Sequence, residues 1–312
     1  MDLVEKSKIE KIEICCCTYK RPEKLRRLLQ SLSEINYPQD IICEILIVDN
    51  DVSESARAIF AEFETCLNIK YVVEAEKGLS NARNKALTES ILLGASHLAF
   101  IDDDEVADVN WLVNHVEFYN KFEEIYISSG PTYKKFDGDY PDYIVENEMF
   151  QASVTKELGK LRKTCASGNV FFPLNIIKEN NVYFSKEFNV SGGEDSDFFG
   201  QLTSLGYKIG SNCTAVNHEI VGKDRCVISW ILNRAYCNGR NYAYRKYKNK
   251  KKKFSRFYYI FRQTFFILLL TFIVLFSIFC GLTIFFNGLT ELFVNFGKLL
   301  GAITLRLGVL YD

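Results

Sequence analysis

The first hundred residues constrain the fold most, because they repeat one pattern: a short apolar run, a polar break, then a helical period. Ile12–Cys17 is such a run and leads into Thr18, Tyr19, Lys20, Arg21 and Pro22. Pro22 suits the first turn of a helix, and Leu25, Leu28, Leu29 and Leu32 recur at helical spacing behind it. Ile41–Val48 ends at Asp49, Asn50 and Asp51, with Ala56, Phe60, Phe63 and Leu67 marking the next helix. Ile69–Val73 precedes a helix expected over Gly78–Leu92, with Leu79, Ala82, Ala86 and Leu87 inward. His97–Ile101 ends in Asp102, Asp103, Asp104 and Glu105. Strands alternating with helices at this spacing predict an α/β fold, a Rossmann-like and mostly parallel sheet with helices on both faces. Ligands of such sheets bind beyond the carboxyl ends of the strands. Thr18, Asp49 and Asp102 each fall just past a strand end, so one crevice is expected to hold all three.

The acidic run at 102–105 has its own consequence. Carboxylates this close repel one another unless a cation neutralises them. Hard oxygen donors favour Mg²⁺ or Mn²⁺, shared with substrate phosphates. The ten cysteines do not read as a disulfide framework: Cys15, Cys16 and Cys17 are consecutive, and no pair has the Cys-x-x-Cys spacing. The triplet is expected to pack as small hydrophobes in a buried strand. With no apolar leader near the first residues, a reducing cytosol is the expected setting. Between Pro131 and Phe150, Tyr133, Phe136, Tyr140, Tyr143 and Phe150 interleave with Asp137, Asp139, Asp142 and Glu146. That mixture suits either a saccharide surface or an aromatic loop packed on the core.

The formal net charge of −1 hides a basic block: nine Lys or Arg and no acid between Arg240 and Arg256. Immediately after it, Thr264–Phe286 runs for 23 residues without a charge, more than the roughly 20 needed to cross the hydrocarbon core. Positive flanks stay cytoplasmic, and attraction to anionic headgroups is worth about 1 kcal/mol per basic residue near the surface. No stacking or base-reading motif accompanies the block, so nucleic acid is not an expected partner. The expected organisation is a catalytic domain over 1–240, a basic juxtamembrane connector over 241–256, a transmembrane helix over 257–287, and an amphipathic interfacial or hairpin helix over 288–312.

Several ordered motifs between Ile12 and Asn241 together resemble the family 2 glycosyltransferases. They are Thr18-Tyr19-Lys20-Arg21-Pro22, Val48-Asp49-Asn50, Gly78-Leu79-Ser80-Asn81-Ala82-Arg83-Asn84 and Ile101-Asp102-Asp103-Asp104-Glu105. Ser167-Gly168-Asn169 and Gly192-Gly193-Glu194-Asp195-Ser196-Asp197-Phe198 follow. The resemblance implies a GT-A fold and an inverting sugar transfer from a nucleotide-sugar, in particular a uridine diphosphate sugar. For an enzyme anchored at a membrane, the expected acceptor is a hydroxyl of a lipid-linked or cell-surface glycan precursor. The resemblance implies that Thr18, Tyr19, Arg21, Asp49, Arg83, Asp102, Asp103, Gly168 and Glu194 line the nucleotide and donor site, Asp49 accepting hydrogen bonds from the base. It further implies a divalent Mn²⁺ or Mg²⁺ on Asp102, Asp104 and His218, and Asp195 as general base. His97 and His115 match no motif. The rivals are a sugar nucleotidyltransferase, which should carry a Gly-rich phosphate loop where Thr18–Pro22 stands, and a non-catalytic membrane scaffold, which has no need of Asp102, Asp104 and Asp195 together.

Overall fold

The computed structural model describes residues 4–152, 156–248 and 253–309. Residues 249–252 of the expected basic connector and 310–312 of the last expected segment lie outside the described residues. The chain forms two compact units, one of Met1–Lys135, Ala152–Lys186 and Glu194–Ile220, the other of Phe136–Gln151, Glu187–Gly193 and Val221–Asp312.

The elements begin with β1 (Lys11–Thr18), α1 (Pro22–Glu34), β2 (Ile42–Asp49), α2 (Arg57–Phe63), β3 (Ile69–Val73), α3 (Leu79–Leu92) and β4 (His97–Ile101). Then come β5 (Glu105–Ala107), α4 (Trp111–Lys121), β6 (Ile125–Ser129), β7 (Thr132–Phe136), α5 (Asp142–Val145), β8 (Leu161–Arg162) and β9 (Asn169–Pro173). They end with α6 (Asn175–Asn180), α7 (Glu194–Ser204), β10 (Lys208–Ser211), β11 (Asn217–Val221), α8 (Ile228–Tyr247), α9 (Lys253–Ser277) and α10 (Leu282–Thr304).

Eight strands form the main sheet in the order β3-β2-β1-β4-β9-β6-β10-β8, and β5-β11-β7 form a small second sheet. β1 runs parallel to β2 from Lys11↔Ile42 to Thr18↔Asp49 and parallel to β4 from Ile12↔His97 to Cys15↔Phe100. That register aligns the three carboxyl ends, as the alternating pattern requires; β9 is the antiparallel strand beside them. Side chains alternate across the sheet. Ile12, Ile14, Cys16, Ile45 and Ile47 pack under Leu25, Leu28, Leu29, Leu32 and Trp111. Cys15, Leu46, Val48 and Phe100 meet Ala82, Ala86, Phe184 and Phe198 on the other face. The cysteine triplet is therefore core, and burial pushes the Cys17 thiol up to about 12. His97 is buried between Phe171 and Tyr119, and burial holds its imidazole down near 3.

The second unit departs from the expected organisation. A boundary at residue 240 falls inside α8, which continues to Tyr247 because small residues dock it tightly on α10. A Cβ on Gly239 would stand 1.9 Å from the Val294 carbonyl oxygen, and one on Gly297 would stand 2.0 Å from that of Tyr236. The uncharged run 264–286 is not one helix. α9 ends at Ser277, a single 3-10 turn follows, and Gly281 adopts φ +120° before α10 begins. The helix that follows, α10, starts at Leu282 and runs back alongside α9. Ser255–Cys280 is long and apolar enough to cross a membrane by length and composition. The aromatics of 136–150 turn inward: Phe136, Tyr140, Tyr143 and Phe150 pack with Val221, Ile231 and Phe286, which is the core reading of that segment.

Glu13 of β1 is the least comfortable core residue. Its side chain is wholly buried and both carboxylate oxygens lack a hydrogen-bond partner, with Lys11 Nζ at 3.9 Å. Burial pushes the carboxyl up to about 7 from 4.5, with Lys11 partly offsetting and Glu44 adding to the rise. The native state therefore holds this proton more tightly than the unfolded chain. Stability is highest below about pH 4.5 for this group and falls as pH rises towards 7. Glu13→Gln should raise stability at pH 8 by about 2 kcal/mol and leave it little changed at pH 4.5. Urea melts at the two pH values check this, and an equal effect at both would remove the charge from the explanation.

Candidate active site

The site lies wholly in the first unit, where the ends of β1, β2 and β4 meet the start of α7. Its organiser is Arg83, in the second turn of α3 and 3% exposed. Nη1 donates to Glu194 Oε1 and to Asp195 Oδ1, both at 2.6 Å, and Nη2 donates to Asp102 Oδ1 at 3.2 Å. Burial opposes its charge, but Asp195, Asp102 and Glu194 outweigh that and hold the guanidinium well above its ordinary range. One cation thus ties three carboxylates from two distant stretches of chain. In this structure Arg83, expected at the nucleotide, is bonded to these three carboxylates.

The acid run divides by environment. Asp102, at the rim, has a side chain 42% exposed, whereas Asp103 and Asp104 are at 6%. Asp103 accepts from Thr18 Oγ1 at 2.8 Å and from Arg21 Nη1 at 3.3 Å. Its carboxyl is pushed up to about 6 by burial and by Asp104, with Arg21 working the other way. Asp104 faces Lys24 Nζ at 3.4 Å and Arg21 at 3.7 Å. Desolvation in the crevice, with Asp104 and Asp195 nearby, also raises Asp102, against the pull of Arg83. Tyr19 lies between Lys20 and Lys77, whose amines stand 5.3 and 5.4 Å from its ring centre.

Glu105 forms the floor. It is buried, accepts from the Asp102 N–H at 3.1 Å and from Asn217 Nδ2 at 2.7 Å, and burial with Asp102 and Glu219 keeps its carboxyl well above the usual range. Gly168 packs on this floor: a Cβ there would stand 2.7 Å from Glu105 Oε1 and 2.9 Å from Asp102 Oδ2. Its place in the motif is a close approach to two carboxylates. Behind it, Asn169 accepts from Trp111 Nε1, shares a 2.8 Å hydrogen bond with His115 Nε2, and donates to the Pro131 and Ala215 carbonyls. Ser167 Oγ and Asn217 Oδ1 are buried beside Gly168 without a hydrogen-bond partner.

Asp49, expected at the base, is fully buried, and its oxygens accept from Ala56 N–H and Tyr71 OH at 2.8 Å and from Asp51 N–H at 3.1 Å. These bonds shape the loop after β2. Asn50 continues that work by accepting from Gly78 N–H and donating to the Glu74 and Glu76 carbonyls. His218, expected at the metal, stands opposite Val106 in the β5–β11 pairing. The His218 ring lies 6.1 Å from that of Tyr133, and burial, together with Lys135, lowers its imidazole.

Among the described residues no three His, Cys, Asp or Glu side chains converge as a ready-made metal cage. The donor chemistry nevertheless fits a hard divalent cation. Asp102 and Asp104 offer only oxygen, they repel each other, and Mg²⁺ or Mn²⁺ at such sites completes its shell with water and substrate phosphate. Asp195 lies in the first turn of α7, where the helix dipole favours a negative charge. Glu194 opens the same helix, so both acids belong to α7. Lys24 and Asn217 are the site residues outside the quoted motifs, and Glu105 and Ser167 stood within them without an assigned role; the distant Asn217 had no spacing signal at all.

The sequence profile described as Glycosyl transferase family 2 matches residues 13–180, more than half of the chain. The chain is a family 2 glycosyltransferase. This glycosyltransferase is 29% identical over 236 residues to the succinoglycan biosynthesis protein ExoM of Rhizobium meliloti (strain 1021), covering 74% of each. Among solved structures it resembles S. aureus TarS 1–349 in complex with UDP-GlcNAc, at 18% identity and TM-score 0.56, over 68% of this chain and 58% of that one. It also resembles the mannosyltransferase PcManGT from Pyrobaculum calidifontis in complex with GDP-Man and Mn²⁺, at 20% identity and TM-score 0.56, over 80% of this chain and 67% of that one. At these identities the structures establish the shared GT-A fold.

The hub makes a direct prediction. Arg83→Met leaves Asp102, Glu194 and Asp195 facing one another without a cation, which costs about 3–5 kcal/mol for a broken buried ion pair. Protonation by acid relieves the repulsion: the loss should be largest at pH 8 and shrink towards pH 5. Denaturant melts of both proteins across that range measure it. A pH-independent loss would mean that packing of the side chain, not its charge, holds the site.

Proposed function

We propose that this glycosyltransferase moves a sugar from a nucleoside diphosphate sugar, in particular a uridine diphosphate sugar, to a hydroxyl of a lipid-linked or cell-surface glycan precursor, with inversion at the anomeric carbon. The observation that carries the reading is the Arg83 bridge, which holds Asp195 beside the Asp102–Asp104 run at the strand ends. A sugar hydroxyl is a weak nucleophile near neutral pH and needs a positioned carboxylate to take its proton during attack. Asp195 is that base. Its Oδ1 is engaged by Arg83, which orients the group, and its side chain is 21% exposed to the crevice. A divalent cation on Asp102 and Asp104 would neutralise charge on the departing diphosphate. Lys24 and Arg21 are placed to meet the same phosphates, and Thr18 holds Asp103 in line beneath them. The unpartnered Ser167 Oγ and Asn217 Oδ1 are assigned to the donor. A single base and direct attack require no second carboxylic acid, unlike a glycoside hydrolase pair.

The UDP-GlcNAc and GDP-Man bound by the two structural neighbours support a nucleotide-sugar donor, and succinoglycan biosynthesis in the sequence relative supports a glycan acceptor. The apolar helix α9 and the basic residues before it support association with anionic lipids at a membrane, with the catalytic unit on the cytoplasmic side.

The deciding experiment is a panel of nucleotide-sugars assayed for nucleoside diphosphate release with membrane lipid acceptors and Mn²⁺ or Mg²⁺. Transfer with one donor is expected, and chelation should abolish it. Asp195→Asn should lower kcat by about 10²–10⁴-fold with donor KM little changed. No metal-dependent release with any donor, or full activity in Asp195→Asn, overturns the mechanism. Asp104→Asn should instead raise the metal concentration needed for half-maximal rate, read from a Mn²⁺ titration at saturating donor.

A further inference from the structure

Helix α9 is packed on one side only. Gln263 donates to Asn295 from its inner face, and Ile267 and Val274 lie there beside Leu292. On the opposite face Phe257, Phe261, Phe265, Phe272 and Phe276 are each at least 65% exposed, as is Phe279 in the 3-10 turn that follows. Spacings of four or seven residues put the five helical rings in one stripe, about 29 Å long at 1.5 Å per residue. The stripe carries no charge. Arg262 flanks it on the exposed surface, and Arg256 sits at its start, donating to the Ala302 and Ile303 carbonyls at the end of α10.

The returning helix α10 is held by the rest of the same unit through both apolar and polar contacts. Asn287 Oδ1 accepts from Glu148 N–H at 3.1 Å, and Thr290 Oγ1 accepts from Asn147 Nδ2 at 3.0 Å. Gly297 and Gly301 abut the backbone of Tyr236 and Arg240 in α8. Asp142, Glu146 and Glu148 in the bound segment are exposed. Five residues separate Gly281 from Asn287, about 9 Å along the helix axis. If α9 crossed a hydrocarbon core about 30 Å thick, α10 and the carboxylates fastened near its start would be carried into it. Exposed acids do not reside there without partners. Contact through the stripe alone immerses no charge.

We propose that the α9–α10 hairpin does not span the membrane but lies in the plane of one leaflet of an anionic phospholipid bilayer. The phenylalanine stripe faces the acyl chains, and Arg256 and Arg262 stand at headgroup level. An uncharged stripe between basic residues is the charge pattern that an anionic lipid surface complements. Both ends of the hairpin then stay on one side. The assignment rests on the membrane association read above and deepens it from an anchor to an orientation.

Spin labels at Phe261→Cys, Phe265→Cys, Phe272→Cys and Phe276→Cys test it in the full-length chain. Cys66→Ser and Cys280→Ser remove the two exposed native thiols. The protein is bound to vesicles of phosphatidylglycerol and phosphatidylcholine, and depth is read from oxygen against aqueous nickel-chelate accessibility. All four labels should report one shallow depth, about 5–10 Å below the headgroups. A depth that reaches the bilayer centre midway and falls again towards 276 overturns the in-plane orientation. Four water-exposed labels overturn membrane association itself, leaving the transferase chemistry untouched. Arg262→Glu should lower partition onto phosphatidylglycerol vesicles about tenfold and change partition onto pure phosphatidylcholine little; an equal loss on both removes the headgroup role.

Discussion

Everything in the catalytic unit converges on the guanidinium of Arg83. Three carboxylates share it, contributed by the turn after β4 and by the first turn of α7. Buried like charges push each other apart or take up protons, and only a buried cation lets them stand together ionised. A guanidinium suits the task because it stays charged and its planar fork reaches several oxygens at once. The 3% exposure of Arg83 keeps those contacts from being diluted by water. Glu194, Asp195 and the acid run after β4 are therefore one assembly.

Beneath that assembly the fold supplies a layer of neutral polar groups. Asn169 joins Trp111 and His115 to two backbone carbonyls, while Asn217 joins Glu105 to the Gly168 carbonyl. Burial keeps the His115 imidazole down near 4, so it works there as a neutral hydrogen-bonding ring. Networks of this kind hold a loop in one geometry because any partial arrangement strands a polar group without water. The Gly168 loop is the part so held, and its missing Cβ is what lets it touch the two carboxylates.

The C-terminal helices obey a different constraint. α8 and α10 approach to backbone contact through Gly239, Gly297 and Gly301, an arrangement open only to small residues. α9 has aromatic rings where α8 has glycine, and it cannot nest in the same way; its inner face packs and its outer face is left to another medium. Gly281 sets the division, since its φ of +120° is one that side-chain-bearing residues rarely adopt.

The alternating pattern by itself determined the order of β1 to β4, the crevice at their ends and the acid run within it, because periodicity and strand-end placement are local properties. The expected strands Ile69–Val73 and His97–Ile101 coincide with β3 and β4, and the others agree to within one residue at each end. Ordered motifs also carried the glycosyltransferase family. Which acids face water, which are spent on neighbours and which cation unites them depend on residues far apart in sequence. The N–H groups and phenol that hold Asp49 come from Asp51, Ala56 and Tyr71. The pairing of His218 with Val106 across β5 and β11 likewise has no signal in the local pattern. The uncharged run 264–286 announced an affinity for lipid; only packing decided that it breaks at Gly281 into two antiparallel helices with one free face, because that depends on what each side of each helix touches.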